Sequence, residues 1–449
     1  GVIAITLGVK WTHIRTSMVN SISSAMPSIL ILLMIGALAG TWLLSGVVPT
    51  LIYYGLKVFH PKIFLFATVI IAGMVSLATG SSWSTVATIG IALIGVGQAL
   101  GINEGLIAGA VISGAYFGDK MSPLSDTTNL APAMAGTDLF THIRYMTITT
   151  VPAMSITLLI FLIIGFTYKF DATPGDIETV LGAIDSKFRV TPWLMLVPAF
   201  LIFIIIKKIP PLPALLAGSL MGAIFALIFQ PHLIREVALT LDGTTTTFFK
   251  SAYMGVMQSI FGDIAILTDN EMVNELLTST GMRGMLNTIW LILSAMVFGG
   301  AMESAGLLVK ITSSVIRWAQ STGSLVTTTI ATSIFFNITA SDQYIAIVVP
   351  GRMFASTYKK RGLKPEVLSR TLEDGGTLTS VLVPWNTCGA TQSRVLGVPT
   401  LEYVPFAFFN ILSPMFSILF AYLNYKIRRY GDDEPAPPDP LDEEDRLDF

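Results

Sequence analysis

One cysteine in 449 residues, Cys388, leaves nothing from which to build a disulfide framework or a thiolate metal site. Histidine is almost as scarce: four are present, and none is paired at ligand spacing. Charged residues make up 12% of the chain, about half the share of an average soluble domain. A net charge of −2, with no stretch in which basic and aromatic residues interleave, excludes a nucleic-acid surface. Enzymatic signatures are missing as well. There is no zinc-protease helix and no nucleophile elbow. Gly114 to Ser122 falls one residue short of a phosphate loop, with Asp119 where close backbone approach would be needed. The sequence reads as neither an enzyme nor a cofactor-dependent protein.

What the chain has instead is hydrocarbon. Hydrophobic residues account for 52% of it, and apolar runs of about 20 residues, the length that crosses a bilayer, recur along it. The pattern is that of an all-α polytopic membrane protein whose partner is the lipid bilayer. Membrane elements are predicted near 27–44, 62–78, 84–99, 104–118, 147–168, 192–206, 213–229, 286–304, 325–336, 343–357, 369–383 and 404–425. The stretches 170–190 and 231–282 are polar or amphipathic and read as loops or interface helices. Gly1 begins inside an apolar stretch without a basic flank, which predicts no signal peptide and a start within a truncated first segment. Beyond Lys426-Ile427-Arg428-Arg429, the Asp-, Glu- and Pro-rich tail from Gly431 to Phe449 is too polar to fold.

Two distant stretches share one design. Ala78-Thr79-Gly80-Ser81-Ser82 and Ile338-Thr339-Ala340-Ser341-Asp342 each open an apolar run, with Thr79 and Thr339 separated by 260 positions. The same shift sets Ser45-Gly46 beside Ala305-Gly306, and Ser125-Asp126-Thr127-Thr128-Asn129 beside Trp385-Asn386-Thr387-Cys388-Gly389. An offset that recurs in this way marks an internal repeat. In an apolar chain, two repeats with polar interruptions at mid-span are the pattern of a secondary transporter. Charge orients the halves. The cluster Lys359-Lys360-Arg361 with Lys364, and the cluster Lys426, Arg428 and Arg429, are two crossings apart and should both face the cytoplasm. The counterpart of the first cluster, Gln98 to Glu104, has no basic residue, so the halves are predicted to be inverted.

The chemistry lies where polar residues break the apolar runs. From Gly114 to Asn129 the chain places Asp119, Lys120, Ser122, Pro123, Ser125, Asp126, Thr127, Thr128 and Asn129 at bilayer depth. Backbone freed from helical bonding costs several kcal/mol in hydrocarbon, so such a stretch persists only where it lines a protein cavity. Leu382 to Thr391 repeats the proline and the small polar cluster, with Pro384, Asn386 and Thr387. Both read as broken helices whose ends and free carbonyls hold an ion. The side chains gathered here offer oxygens, which favours a hard alkali cation. Sodium is predicted at Asp126, Thr127, Asn386 and Thr387, with Ser125, Asn129, Asp119, Asn337, Thr339, Ser341, Asp342 and Glu373 in the surrounding ion-binding and proton-coupling network.

Asp126 carries the most weight, because the second half has the neutral Asn386 or Thr387 at its place. Desolvation favours a protonated carboxyl and a neighbouring cation favours the ionised one, so sodium arrival at a sequestered acid expels a proton. Plainer readings stand beside these. Asp119 and Lys120 read as a local ion pair, and Glu373-Asp374 as interface residues on the cytoplasmic side. Asn337, Thr339 and Ser341, like Thr79, Ser81 and Ser82, read as caps of a re-entrant hairpin. Glu303 reads as a packing or gating residue, and Cys388 as a small buried one.

Gly114 to Met146 (GAYFGDKMSPLSDTTNLAPAMAGTDLFTHIRYM) and Leu372 to Ala390 (LEDGGTLTSVLVPWNTCGA) resemble the NhaC family of sodium/proton antiporters, within the larger ion-transporter superfamily; the likeness runs from about Pro27 to Tyr425. The resemblance implies two inverted halves, each with a re-entrant hairpin and a broken helix, working as a homodimer by alternating access in the cell (inner) membrane. It puts the hairpin tips near Thr79 to Ser82 and Asn337 to Asp342, and the breaks near Ser122 to Asn129 and Pro384 to Gly389. The chain divides accordingly into an N-terminal remnant (1–26), a first repeat (27–168), connecting loops with two transmembrane and several interface helices (169–284), a second repeat (285–425) and a disordered acidic cytoplasmic tail (426–449). Cargo varies in this family, and some members exchange malate, lactate or amino acids. A carboxylate cargo calls for cations, for which Lys120, Arg352 and Arg394 are the candidates. The oxygen-rich breaks favour exchange of sodium for protons alone, and Asp126→Asn is expected to abolish it.

Overall fold

The computed structural model describes residues 5–6, 8–168, 174–242, 247–268, 271–307, 310 and 320–431. The acidic tail from 432 onward lies outside them, as do 1–4 of the expected N-terminal remnant and 170–173 of an expected interface stretch. Among the described residues, six helices are long and apolar enough to cross a membrane, or up to eight if each of two bent pairs is one span. The helices that carry the polar interruptions are not among the six, because charge, threonine or shortness dilutes their apolar character.

The first of them, α1 (Trp11–Leu44), runs through Pro27 without a break. The boundary expected between 26 and 27 therefore falls inside a single helix, as membrane helices tolerate an internal proline. After Gly46, in the left-handed region at φ 79°, comes α2 (Val47–Val58), a short helix the sequence reading lacks. Next, α3 (Pro61–Thr79) and α4 (Ser82–Ala99) form a hairpin, and α4 contains a π-helical turn at Val86–Gly90. α5 (Glu104–Met121) lies against α3. The contact needs glycine: a Cβ on Gly114 or Gly118 would run into the α3 carbonyls of Val69 and Gly73. Past the break at 122–125 come α6 (Asp126–Ala135) and α7 (Leu139–Thr167). α7 starts eight residues before the expected 147, because Asp138 caps it through Thr141 N (3.0 Å).

The connecting region holds α8 (Pro174–Lys187), α9 (Leu196–Ile206), α10 (Pro211–Phe229), α11 (Pro231–Asp242) and α12 (Phe248–Phe261). It also holds α13 (Glu271–Leu276), enclosed by a small antiparallel ribbon of β1 (Ile264–Ala265) and β2 (Thr278–Ser279). Trp42 Nε1 donates to Gly218 O at 3.2 Å and ties α10 to α1. The second half begins with α14 (Leu286–Ser304), followed by the hairpin of α15 (Thr322–Thr339) and α16 (Ile345–Lys360). Helix α17 (365–380) contains a π turn at Glu373–Thr377; after a break come α18 (Thr387–Leu396) and the bent pair α19 (Thr400–Phe406) and α20 (Phe408–Tyr422).

Left-handed residues recur at the offset read from the sequence. Gly46 and Gly306, Gly80 and Ser341, Gly101 and Gly362, and Gly136 and Gly397 are each 260 or 261 positions apart, and each stands just past a helix end. The largest buried cluster joins α1 to α5 with α9, α10 and Tyr403, and a second gathers α15 to α17 with Ala131 and Tyr145.

Candidate functional site

At the first break, side chains take up the backbone groups that the helix ends leave open. Thr128 Oγ1 donates to the carbonyls of Asp119 and Lys120, both at 3.1 Å. Ser125 Oγ caps α6 through Thr128 N (3.4 Å), and Asn129 Nδ2 donates to the carbonyls of Ser125 (2.7 Å) and Pro123 (3.0 Å). The hairpin tip turns at Gly80, φ 71°, against Leu124, whose Cβ would lie 2.6 Å from a side chain there. Asp119 reaches this tip: its Oδ2 accepts from Ser82 N (3.1 Å) and Ser82 Oγ (2.6 Å). The local pairing of Asp119 with Lys120 considered from sequence is thus replaced by a contact across 37 positions.

At the second break the polar residues mostly hold backbone. Asp342 Oδ1 accepts from Tyr344 N (2.9 Å) and Ile345 N (3.0 Å), and Thr339 Oγ1 donates to Phe335 O (2.7 Å) within its own helix. Asn386 Nδ2 donates to Asn337 O and Oδ1, both at 3.1 Å, while its Oδ1 caps α18 through Cys388 N (3.0 Å). Thr387 N donates to Ser341 O at 3.0 Å, fastening this tip to its break.

A cavity of about 810 Å³ opens where the two breaks meet. Of the residues expected at the site, Asp119, Ser125, Asp126, Thr127, Asn129 and Thr387 line it; Asn337, Thr339, Ser341, Asp342, Asn386 and Glu373 do not. Asp126, the first residue of α6, presents an exposed carboxylate to the cavity rather than a sequestered one. Of the buried acids, Asp119 (7% exposed) lines the cavity and Glu373 (0%) lies next to it through Thr127, so the argument from desolvation passes to these two. Thr127 joins Glu373 to the cavity: its Oγ1 donates to Glu373 Oε1 (3.1 Å) and bonds Ser125 Oγ (3.2 Å). Among the described residues no hydrogen bond is formed by Glu373 Oε2. An ionised, fully buried carboxylate with a bare oxygen is costly, and either a proton on it or a cation beside it removes that cost. Among the described residues no three His, Cys, Asp or Glu gather at metal-ligand distances.

Several polar groups of the lining escaped the sequence reading. Gln343, Tyr344 and Ser24 and Ser28 of α1 line the cavity, as does Cys388, and no motif sets them apart from packing residues. Glu373 and Asp374 are fully buried rather than at an interface. Lys120, also fully buried, forms an ion pair with Asp374 and donates to Ser413 Oγ at 2.9 Å. Arg370 is buried with its guanidinium 4.4 Å from the centre of the Tyr145 ring and without a hydrogen-bond partner among the described residues. Its position one turn before Asp374 on α17 was the available signal. His142 Nδ1 lies 2.7 Å from Ser369 Oγ.

A model of the Na+/H+ antiporter family matches residues 114–425, a stretch that contains both breaks and the second hairpin. The chain belongs to the Na+/H+ antiporter family. The antiporter is 39% identical to the Na(+)/H(+) antiporter NhaC of Alkalihalophilus pseudofirmus, over 93% of this chain and 86% of that one. It is 38% identical to the NhaC of Bacillus subtilis over 94% of this chain and 89% of that one. The malate-2H(+)/Na(+)-lactate antiporter of Bacillus subtilis is also 38% identical, over 94% of this chain and 86% of that one. The antiporter is a transporter that spans the membrane several times. Of the cations considered from sequence for an anionic cargo, Lys120 is bound to Asp374 and Arg394 donates to Thr280 Oγ1 at 2.6 Å; neither they nor Arg352 line the cavity.

Proposed function

We propose that the antiporter exchanges sodium for protons at the wall where Asp119, Thr127 and Glu373 meet, the two cations competing for the same buried carboxylates. Asp126 draws the cation into the cavity, and Thr387 supplies a neutral ligand from the second break. The observation that carries this reading is the Thr127 bridge, which faces the cavity on one side and bonds a buried Glu373 with an unpartnered oxygen on the other. Sodium at this wall supplies the countercharge that a proton otherwise supplies, so one leaves as the other arrives.

The lining also favours a cation over an organic anion as cargo. Two carboxylates and several hydroxyls face the space, against one cationic side chain, Lys208, among the described residues. Two inverted halves that alternate access to the two sides of the cell (inner) membrane complete the reading, with a homodimer as the working unit. The left-handed turns that recur at one offset support the repeat. The two basic clusters come together at one end, where Lys364 N donates to Arg428 O (3.1 Å) and Tyr430 N to Gly362 O (2.9 Å), which supports a cytoplasmic location for that end and for the tail.

The test is purified protein in liposomes with an internal pH dye and an imposed sodium gradient, with and without malate, lactate or amino acids. Proton movement driven by sodium alone is expected, and it should vanish in Glu373→Gln. A strict requirement for an organic acid would replace this reading with exchange of that acid.

A further inference from the structure

Behind the cavity, four helices close around one carboxylate. Asp374 stands in the π turn of α17 with no exposed surface. Its Oδ1 accepts from Ser413 Oγ (2.7 Å) and its Oδ2 from Ser417 Oγ (2.7 Å), both on α20, and from Thr149 Oγ1 of α7 (3.3 Å). The place left beside Oδ1 holds the ammonium of Lys120, from the last turn of α5, which donates in addition to Ser413 Oγ. Without its tether, the group held here is a monovalent cation surrounded by a carboxylate and hydroxyl oxygens in a dry interior. That is the hard-oxygen environment an alkali cation takes.

We propose that Asp374, Ser413, Ser417 and Thr149 form a second cation site, filled by Lys120 as a tethered cation, and that the lysine thereby limits how many sodium ions the antiporter binds. The first half leaves its buried acid, Asp119, beside the cavity for a free ion. The second half keeps Asp374 occupied by an amine that cannot leave. A chain in which that amine is removed, and its space left open, has a vacant acidic site of the same oxygen chemistry. Sodium is chosen as the probe because of the function proposed above; the inference itself rests on the Asp374 cluster.

The experiment compares the full-length wild type, Lys120→Ala and Lys120→Ala/Asp374→Asn in detergent. Radioactive sodium bound per chain is measured by equilibrium dialysis, and thermal unfolding is followed in sodium chloride against choline chloride. Lys120→Ala is expected to bind one more sodium ion than the wild type. Its Tm should rise with sodium more steeply than the wild type's, as mass action requires of an added site. The double variant should show neither gain. If Lys120→Ala folds only in sodium and not in choline, the inference is supported. Equal sodium binding in folded Lys120→Ala and wild type overturns it, and so does a Lys120→Ala chain that fails to fold in either salt while the double variant folds. Loss of sodium binding in Asp119→Asn with the increment from Lys120→Ala intact would leave this inference standing and test the exchange site separately.

Discussion

In the first half, Asp119 holds the hairpin tip through Ser82 and still lines the cavity; in the second, Asp342 is bound to the amides of Tyr344 and Ile345, and Asp374 to Lys120. Two stretches whose left-handed turns fall at the same offset thus place their acids differently. One presents carboxylate to an open space, while the other brings Thr387 to the same space and an acid that Thr127 connects to it. A repeat needs common turns and packing, but two exchangeable cations at a single site need only one set of free acids. The asymmetry lies in the side chains and not in the fold.

The harshest way to break this comparison is to take away the lysine that occupies the second half's acid. Lys120→Met fills the same volume without charge and leaves Asp374 buried and uncompensated, a loss expected at about 3–5 kcal/mol. Lys120→Met/Asp374→Asn should recover most of it, because no lone charge remains. Thermal unfolding of the two in the same detergent is the measurement. A double variant as unstable as the single one would show that packing, and not charge, sets the stability of this cluster.

The acids that face the cavity come next. Asp119→Asn and Glu373→Gln are each expected to lower sodium-driven proton flux in liposomes by about 100-fold or more, the low end of what a positioned proton-transfer group contributes. Asp126→Asn should instead raise the sodium concentration for half-maximal flux, by roughly five- to tenfold, since an exposed charge acts through a well-screened field of about 1 kcal/mol. Equal, complete loss in Asp126→Asn would return the central role to the residue that stands out in the sequence.

That contrast shows where the sequence is legible. Polar clusters at bilayer depth disclose both breaks and both hairpin tips, because Ser, Asn, Asp and Pro in an apolar run have few other uses. Asp126 stands out in the sequence and Asp119 does not, yet it is Asp119 that is buried, under a tip that arrives from Ser82, 37 positions away. The partner of Lys120 is 254 positions distant, beyond any local pattern. The half-helices α6 and α18 are too short and polar to announce themselves, although Ser125 and Asn386, their caps, stand out in the sequence as candidate site residues. The wall given by α1 has no signal at all, because Ser24 and Ser28 sit in an apolar helix as packing residues would.

The smallest effect sharpens the comparison at the two hairpin tips. Gly80 and Ser341 both adopt the left-handed conformation, at φ 71° and 60°, but the second is paid for with a side chain that disfavours it. Gly80→Ala should lose about 1–2 kcal/mol from the backbone alone, and more from the encounter with Leu124. Ser341→Gly removes the same strain and adds the entropy of a freer unfolded chain, about 0.5–1 kcal/mol, so its net gain is expected below about 1 kcal/mol. A serine kept in a strained turn beside Thr387 is of interest for what its hydroxyl does. Should Ser341→Gly raise Tm slightly and leave the half-maximal sodium concentration unchanged, Ser341 only shapes the tip. A weaker apparent affinity for sodium in that variant would instead make the second tip a participant in binding, and the division between the halves would be less complete than their acids indicate.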